Sequence, residues 1–311
     1  MRTGNEKGAH VDGKRYLVVT ADDYGIGPAT SQGILDLAAR GAVTATVLLV
    51  NSPHAESAVR AWRQSGTPLE LGWHPCLTLD RPVLPATKVP SLVGLDGRFH
   101  PLGRFVRRLV LGRIRRAEVQ SELRAQYGRF HDLVGRPPTV VNAHHHVQVF
   151  PRVGAVLREL LARRRPFPYL RRVREPWRML RHVPGARGKR GFLNVLGRRD
   201  ARAQRRAELP GNDWLAGITD PPCVADPDFL SRWLTRVPGE VVELTCHPGY
   251  VDTSLVGRDC TDSDGQLLRR VHEYWLLRQA RFRAACQSAG LTLVSPSDLL
   301  KLRNGRKAHA A

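Results

Sequence analysis

In this 311-residue sequence, side chains able to do acid, base or metal chemistry gather where extended runs give way to loops. Asp22 and Asp23 follow the run Arg15–Thr20, His74 follows Leu69–Trp73, and His144, His145 and His146 follow Thr139–Asn142. Arg174 and Glu175 follow Tyr169–Val173, and His247 follows Glu240–Cys246. Carboxylate oxygen combined with imidazole nitrogen is the donor set of a three-ligand divalent centre that leaves positions open for water, as metal-assisted hydrolysis requires. Of the adjacent Asp22 and Asp23, one suits the cation and the other a general base, because neighbouring side chains on an extended chain diverge. A turn in which Asp22 caps the Tyr24–Gly27 loop is the plainer alternative. Read as the end of a strand, the three histidines place His144 and His146 on one face and His145 on the other, so at most two face a site. His146 is then free to touch a substrate.

Bringing these residues together requires strands whose C-terminal ends converge, which is the property of parallel α/β folds. The sequence supplies that alternation. Arg15–Thr20, Val43–Val50, Leu69–Trp73, Thr139–Asn142, Tyr169–Val173, Glu240–Cys246 and Leu291–Val294 read as buried strands, and helical patterns at Pro28–Arg40, Pro53–Gln64 and Pro151–Arg164 lie between them. Ala117–Val134 carries Val119, Leu123, Tyr127, Phe130 and Val134 at helical spacing, and Gln266–Cys286 carries Leu268, Val271, Trp275, Phe282 and Cys286. The Pro- and Gly-rich stretch from Pro75 to Gly103 reads as a long loop over the site. The basic stretch from about 176 to 210 reads as a partly helical insertion, and residues 1–14 and 304–311 as tails to a domain spanning 15–303.

Composition narrows the classes. With 42% hydrophobic and 25% charged residues the chain is globular, neither disordered nor fibrous. No apolar run approaches the roughly 20 residues of a membrane span, and the polar first residues lack the apolar core of an export signal, so a cytoplasmic protein is expected. Five widely spaced cysteines without a paired C-x-x-C motif argue against both a disulfide framework and a cysteine-held metal. The net charge is +21, and residues 161–210 alone hold 16 basic against three acidic residues. Only six of the 49 basic residues are lysine, and no nucleic-acid module accompanies them, so a specific nucleic-acid partner is not expected. Peripheral contact with an anionic membrane surface and a homodimer remain open expectations.

Six blocks in order, TADDYGIGPATSQGIL, LGWHPCLTLDRPVLP, VPSLVGLDGRF, ELRAQYGRF, NAHHHVQVFP and ELTCHPGY, resemble the successive motifs of the YdjC-like carbohydrate deacetylase family, which includes chitooligosaccharide deacetylases and a hopanoid-associated branch. The resemblance runs over about residues 15–300. It implies a single-domain (β/α) barrel-like α/β fold with parallel strands, and one divalent ion held by Asp23, His74 and His144. It also implies removal of an N-acetyl group from an amino sugar or sugar conjugate. A looser similarity to polysaccharide deacetylases implies Asp22 as general base and His247 as general acid. Relatives are described with magnesium, whereas the softness of the donors favours zinc, so either Mg2+ or Zn2+ is expected. Arg174 and Glu175 would orient sugar hydroxyls, and Trp73 or Trp177 would stack on a pyranose face.

The chain departs from the family pattern at Asn142, where relatives carry Asp, and at Gln148, where they carry the last His of the block. Trp73 replaces a Leu, and Pro75 with Cys76 alters the loop beyond His74, which together suggest a changed pocket wall. The alternative function is a deacetylase scaffold with impaired turnover that binds anionic glycans or other polyanions.

Overall fold

The computed structural model describes residues 14–310, with side chains through 305. The N-terminal tail expected over 1–14 lies, but for Lys14, outside the described residues. The chain alternates β1 (Arg15–Tyr24), α1 (Pro28–Ala39), β2 (Ala45–Leu48), α2 (Ala55–Ser65), β3 (Glu70–Trp73), α3 (Leu102–Val110), α4 (Arg116–Val134) and β4 (Val140–Val141). It continues through α5 (Pro151–Ala162), β5 (Tyr169–Leu170), α6 (Trp177–His182), α7 (Arg187–Arg206), β6 (Trp214–Ala216), α8 (Phe229–Leu234) and β7 (Val241–Cys246). The last elements are α9 (Gln266–Arg278), α10 (Ala280–Ser288), β8 (Leu291–Leu293) and α11 (Pro296–Ala310). Proline at the first turn starts α1 and α5, where its missing N–H costs nothing, and Gly135 in the left-handed region ends α4. Among the described residues, no helix is long and apolar enough to cross a membrane.

The strands pair in parallel in the order β5-β4-β3-β2-β1-β7-β6. The long β1 serves two neighbours on one edge: β8 pairs with Arg15–Leu17 and β2 with Thr20–Tyr24, while β7 follows the opposite edge from Tyr16 to Ala21. The sheet curls into the expected barrel-like α/β fold. At its outer strands single backbone bonds stand in place of a ladder: Leu170 of β5 donates to the Pro210 carbonyl ahead of β6, and Leu215 of β6 to the Arg174 carbonyl beyond β5, both at 2.8 Å.

The two-residue period of the strands makes the barrel interior a graded stack. At its lower end Tyr16, Val18, Val47, Val140 and Val241 form a small apolar cluster closed by Leu299 of α11. Further along β1 come Thr20 and Asp22 and along β7 Glu243 and Thr245, with Glu243 in register with Val18 and Thr245 with Thr20, and Arg171 follows β5 toward the same end. The opposite faces of β1, through Leu17, Val19 and Ala21, pack beneath the helices in the main core, which includes the Leu123, Phe130 and Val134 stripe of α4. The interior thus passes from apolar to charged toward the C-terminal ends of the strands.

Several elements differ from the sequence reading. The basic stretch holds α6 and α7 and leads into β6, a three-residue strand too short to show periodicity. Helix α3 begins at Leu102, where the expected long loop ends, and α11 continues through the expected 304–311 tail to Ala310. The helix expected over Gln266–Cys286 breaks at Gln279, whose ψ of 146° is extended. Its expected apolar stripe holds in α10, where Phe282 and Cys286 are buried, but not in α9, where Leu268 and Trp275 are exposed and the buried side carries Arg269, Arg270, Glu273 and Tyr274.

Candidate metal centre and active site

A cavity of about 240 Å³ opens at the C-terminal ends of the strands, and Asp22, Asp23, His74, all three histidines from 144 to 146, and His247 line it. The local backbone is what delivers them. The pairing of β1 with β2 slips between Ala21 and Tyr24, and Asp23 takes a left-handed φ of 65°, so both aspartates turn to the cavity although they are neighbours. The three histidines do not continue a strand. They form a tight turn in which His145 (φ 54°) and His146 (φ 56°) are left-handed, and all three rings reach the cavity, which overturns the expectation of at most two. Three strained non-glycine residues at one cavity are the signature of a site held in shape by its surroundings.

Asp23, His74 and His144 each offer a ligand atom within 4.8 Å of the others, and all three are buried. Asp23 Oδ1 lies 2.9 Å from His144 Nδ1 and 3.3 Å from His74 Nε2. His74 Nδ1 is 2.7 Å from the Asn142 carbonyl oxygen, which can only accept, so Nδ1 is the donor there and Nε2 is the nitrogen turned toward Asp23. His144 Nε2 is buried without a hydrogen bond. One carboxylate, two imidazoles and a buried nitrogen lacking a partner fit a divalent cation.

Arg270 and Asp259, which the sequence reading missed, flank this cluster. Arg270 Nη2 donates to Asp23 Oδ2 at 2.8 Å and to Asp259 Oδ2 at 3.0 Å, and Asp259 Oδ1 stands 3.9 Å from His144 Nε2. Burial opposes ionisation of Asp23, but the Arg270 and His144 charges outweigh it and hold the carboxyl well below its ordinary range.

Asp22 sits in a second buried network. Arg171 reaches both its oxygens, Nη1 to Oδ2 at 2.6 Å and Nη2 to Oδ1 at 2.8 Å, and Thr245 Oγ1 donates to Oδ2 at 3.0 Å. The Nε of Arg171 donates to Glu243 at 2.7 Å, and Glu243 also accepts from Thr20 and Tyr169. Burial alone would raise the Asp22 pKa, yet the guanidinium lowers it below the ordinary value. Asn142 Nδ2 donates to Asp22 Oδ1 at 3.3 Å. An aspartate at 142 would set two carboxylates together here, so Asn at that position suits an ionised Asp22. The sequence does carry a signal for this network: Glu243 is a charge inside the apolar strand Val241–Cys246, and such a buried charge needs a partner.

His247 lines the cavity beside Asp22. Its Nε2 is 3.9 Å from Asp22 Oδ2, and its Nδ1 is 3.3 Å from Nη2 of Arg269. Glu273 accepts from Arg269 Nε at 2.8 Å and from the His247 backbone N–H. Burial, then the Arg269 charge, push the His247 pKa well below its ordinary value.

Four expected substrate contacts lie elsewhere. Trp73 is fully buried and meets Tyr127 edge-on at 5.7 Å, so it has no face for a sugar. The strand before Arg174 and Glu175 ends at Leu170, which carries both past the mouth: Arg174 stacks on Trp214 with its guanidinium 4.0 Å from the ring, and Glu175 is buried against Arg190 of α7 at 3.2 Å. Trp177 is half exposed, with the Arg198 guanidinium 5.1 Å from its ring, and is not part of the cavity lining. Gln148 is likewise buried and away from the lining. His146 does line the cavity, with Nδ1 unbonded, and Lys189, Ile218, Asp264 and Gln266 line it as well.

Fold and site together define a parallel-stranded α/β protein with a carboxylate–imidazole centre at its C-terminal face. The model of the YdjC-like protein family matches residues 16–288, and the chain belongs to that family. It is 33% identical to a carbohydrate deacetylase of Mus musculus over 93% of this chain and 96% of the relative. It is 29% identical to a carbohydrate deacetylase of Geobacillus stearothermophilus over 93% of this chain and 99% of the relative. Among solved structures, a protein from Enterococcus faecalis assigned to cellobiose-phosphate cleavage superimposes with a TM-score of 0.76 at 25% identity, covering 92% of this chain and 99% of that one.

Proposed function

We propose that this chain is a metal-dependent carbohydrate deacetylase that hydrolyses the N-acetyl group of an amino sugar or sugar conjugate. The observation that carries the reading is the meeting of Asp23, His74 and His144 in one buried cluster beside the Arg171-held Asp22 and the His247 ring. The names of the full-length relatives in mouse and in Geobacillus support the substrate class.

Asp23, His74 and His144 would hold one divalent ion, zinc or magnesium. When bound, such an ion supplies Lewis-acid polarisation of the acetyl oxygen and lowers the pKa of a water toward neutrality. Asp22, kept ionised by Arg171, takes the proton of the attacking water. His247 faces the departing amine with Nε2. His146, Lys189 and Gln266 form the walls that meet the sugar. Arg270 and Asp259 keep Asp23 ionised and oriented.

Screening acetate release from N-acetylated mono- and oligosaccharides, with zinc and with magnesium, tests the proposal. Acetate release by the natural sequence and none by Asp23→Ala supports it. No release from any N-acetylated sugar with either ion would overturn it.

A further inference from the structure

The two nitrogens of the His247 ring face groups of opposite character. Nδ1 lies 3.3 Å from Arg269 Nη2, and a guanidinium has only protons to give, so Nδ1 must accept. A neutral imidazole has one proton, which is then on Nε2, the nitrogen turned toward Asp22. A histidine that delivers a proton as an acid is normally supported by a carboxylate at Nδ1. Here that place is taken by Arg269. Glu273 is 3.8 Å from Nδ1, and its two oxygens accept from Arg269 Nε and from the backbone N–H of His247. The charged and titratable groups around the ring are Asp22 and Asp23 from β1, Arg171 beyond β5, His146 from the histidine turn, and Arg269, Arg270 and Glu273 from α9.

We infer that Arg269 is a positioning residue that fixes the His247 tautomer, holding Nδ1 as the acceptor and directing Nε2–H into the cavity toward the reacting groups. This rests on the proposed deacetylation only for the identity of the reacting bond. In that reaction the water oxygen bonds to the acetyl carbon, the C–N bond breaks with its electron pair left on nitrogen, and the proton that Asp22 took from water ends on that nitrogen.

The test is nitrogen NMR of the full chain labelled with 15N-histidine, with zinc added and without it, using His247→Gln to assign the resonances. The expected spectrum has His247 Nδ1 unprotonated and Nε2 protonated. Arg269→Met removes the donor and should give a mixture of the two tautomers, with kcat reduced about 10- to 100-fold and KM within about twofold. Arg269→Lys, which keeps a charged donor, should restore the Nε2–H form and most of kcat. Glu273→Gln provides a second route to the same site, because it releases Arg269 without removing it, and should also mix the tautomers. A protonated Nδ1 in the natural sequence, or an Nε2–H form unchanged in both Arg269→Met and Glu273→Gln, would overturn the inference. A natural sequence with the expected tautomer that releases no acetate would overturn the proposed function and leave the assignment to Arg269 standing.

Discussion

Replacing Arg171 with methionine keeps most of the side-chain volume and removes the cation from the centre of the barrel. Arg171 is 0% exposed, as is Glu243, and it holds Asp22 through two hydrogen bonds and Glu243 through one. Breaking a buried ion pair by deleting one partner costs about 3–5 kcal/mol. A domain has only about 5–15 kcal/mol of total stability, so the variant should lose a large part of it. The pH dependence identifies the cause. In the natural sequence the folded Asp22 pKa lies below its unfolded value of about 3.9, so its contribution is present above that value and is lost as pH falls through the lower folded pKa. Between pH 8 and 5.5 this group therefore leaves stability flat. In Arg171→Met the burial that raises the Asp22 pKa is no longer opposed by the guanidinium, and the sign reverses: folding is penalised at pH 8, and the penalty shrinks as pH falls. Urea unfolding across pH 5.5–8 should show the variant gaining stability on acidification while the natural protein does not. Turnover at pH 7 should fall about 10²- to 10⁴-fold, because the group that receives the proton is displaced and partly protonated. A variant that unfolds at the same urea concentration as the natural protein at pH 8, or with the same pH dependence, would refute the assignment of Arg171 as the counter-ion of Asp22.

Other consequences follow from the same geometry. Asp259→Asn leaves Arg270 beside Asp23 without its second carboxylate and should weaken zinc binding about 10- to 100-fold in calorimetry, with an unchanged far-ultraviolet spectrum. Unchanged affinity would remove Asp259 from the surroundings of the centre. Trp73→Ala should cost about 3–5 kcal/mol in unfolding experiments because it empties a closed core site against Tyr127. The milder Trp73→Phe should leave KM for any accepted sugar unchanged, and a raised KM would return Trp73 to the pocket wall.

The sequence made the parallel strands legible because β1, β2, β3 and β7 are apolar runs bounded by polar turns, and β1, β3 and β7 carry cavity residues, Asp22 with Asp23, His74 and His247, at or just past their C-terminal ends. The strand ends marked the paired aspartates, His74 and the histidine run as candidates, and the choice of Asp23, His74 and His144 among them came from the family resemblance. The partners of those residues were hidden by two physical effects. Arg269, Arg270 and Glu273 lie on the buried face of α9, where an ordinary apolar stripe would be sought, and the apolar Leu268 and Trp275 face outward. Arg171 is one of several arginines in a strongly basic stretch, and only its pairing with Asp22 and Glu243 sets it apart. Trp73, Arg174 and Glu175 misled in the opposite direction. Residue type suggested a sugar contact, but β5 stops at Leu170 and the tryptophan at the end of β3 packs inward against α4.

The most direct measurement is calorimetric titration of zinc into the metal-stripped full-length protein and into Asp23→Ala and His74→Ala, with the bound metal counted by elemental analysis. A single tightly held ion per chain in the natural protein, and its loss in both variants, is the result predicted by the meeting of Asp23, His74 and His144. Equal ion content in all three proteins, or none in the natural one, would contradict it.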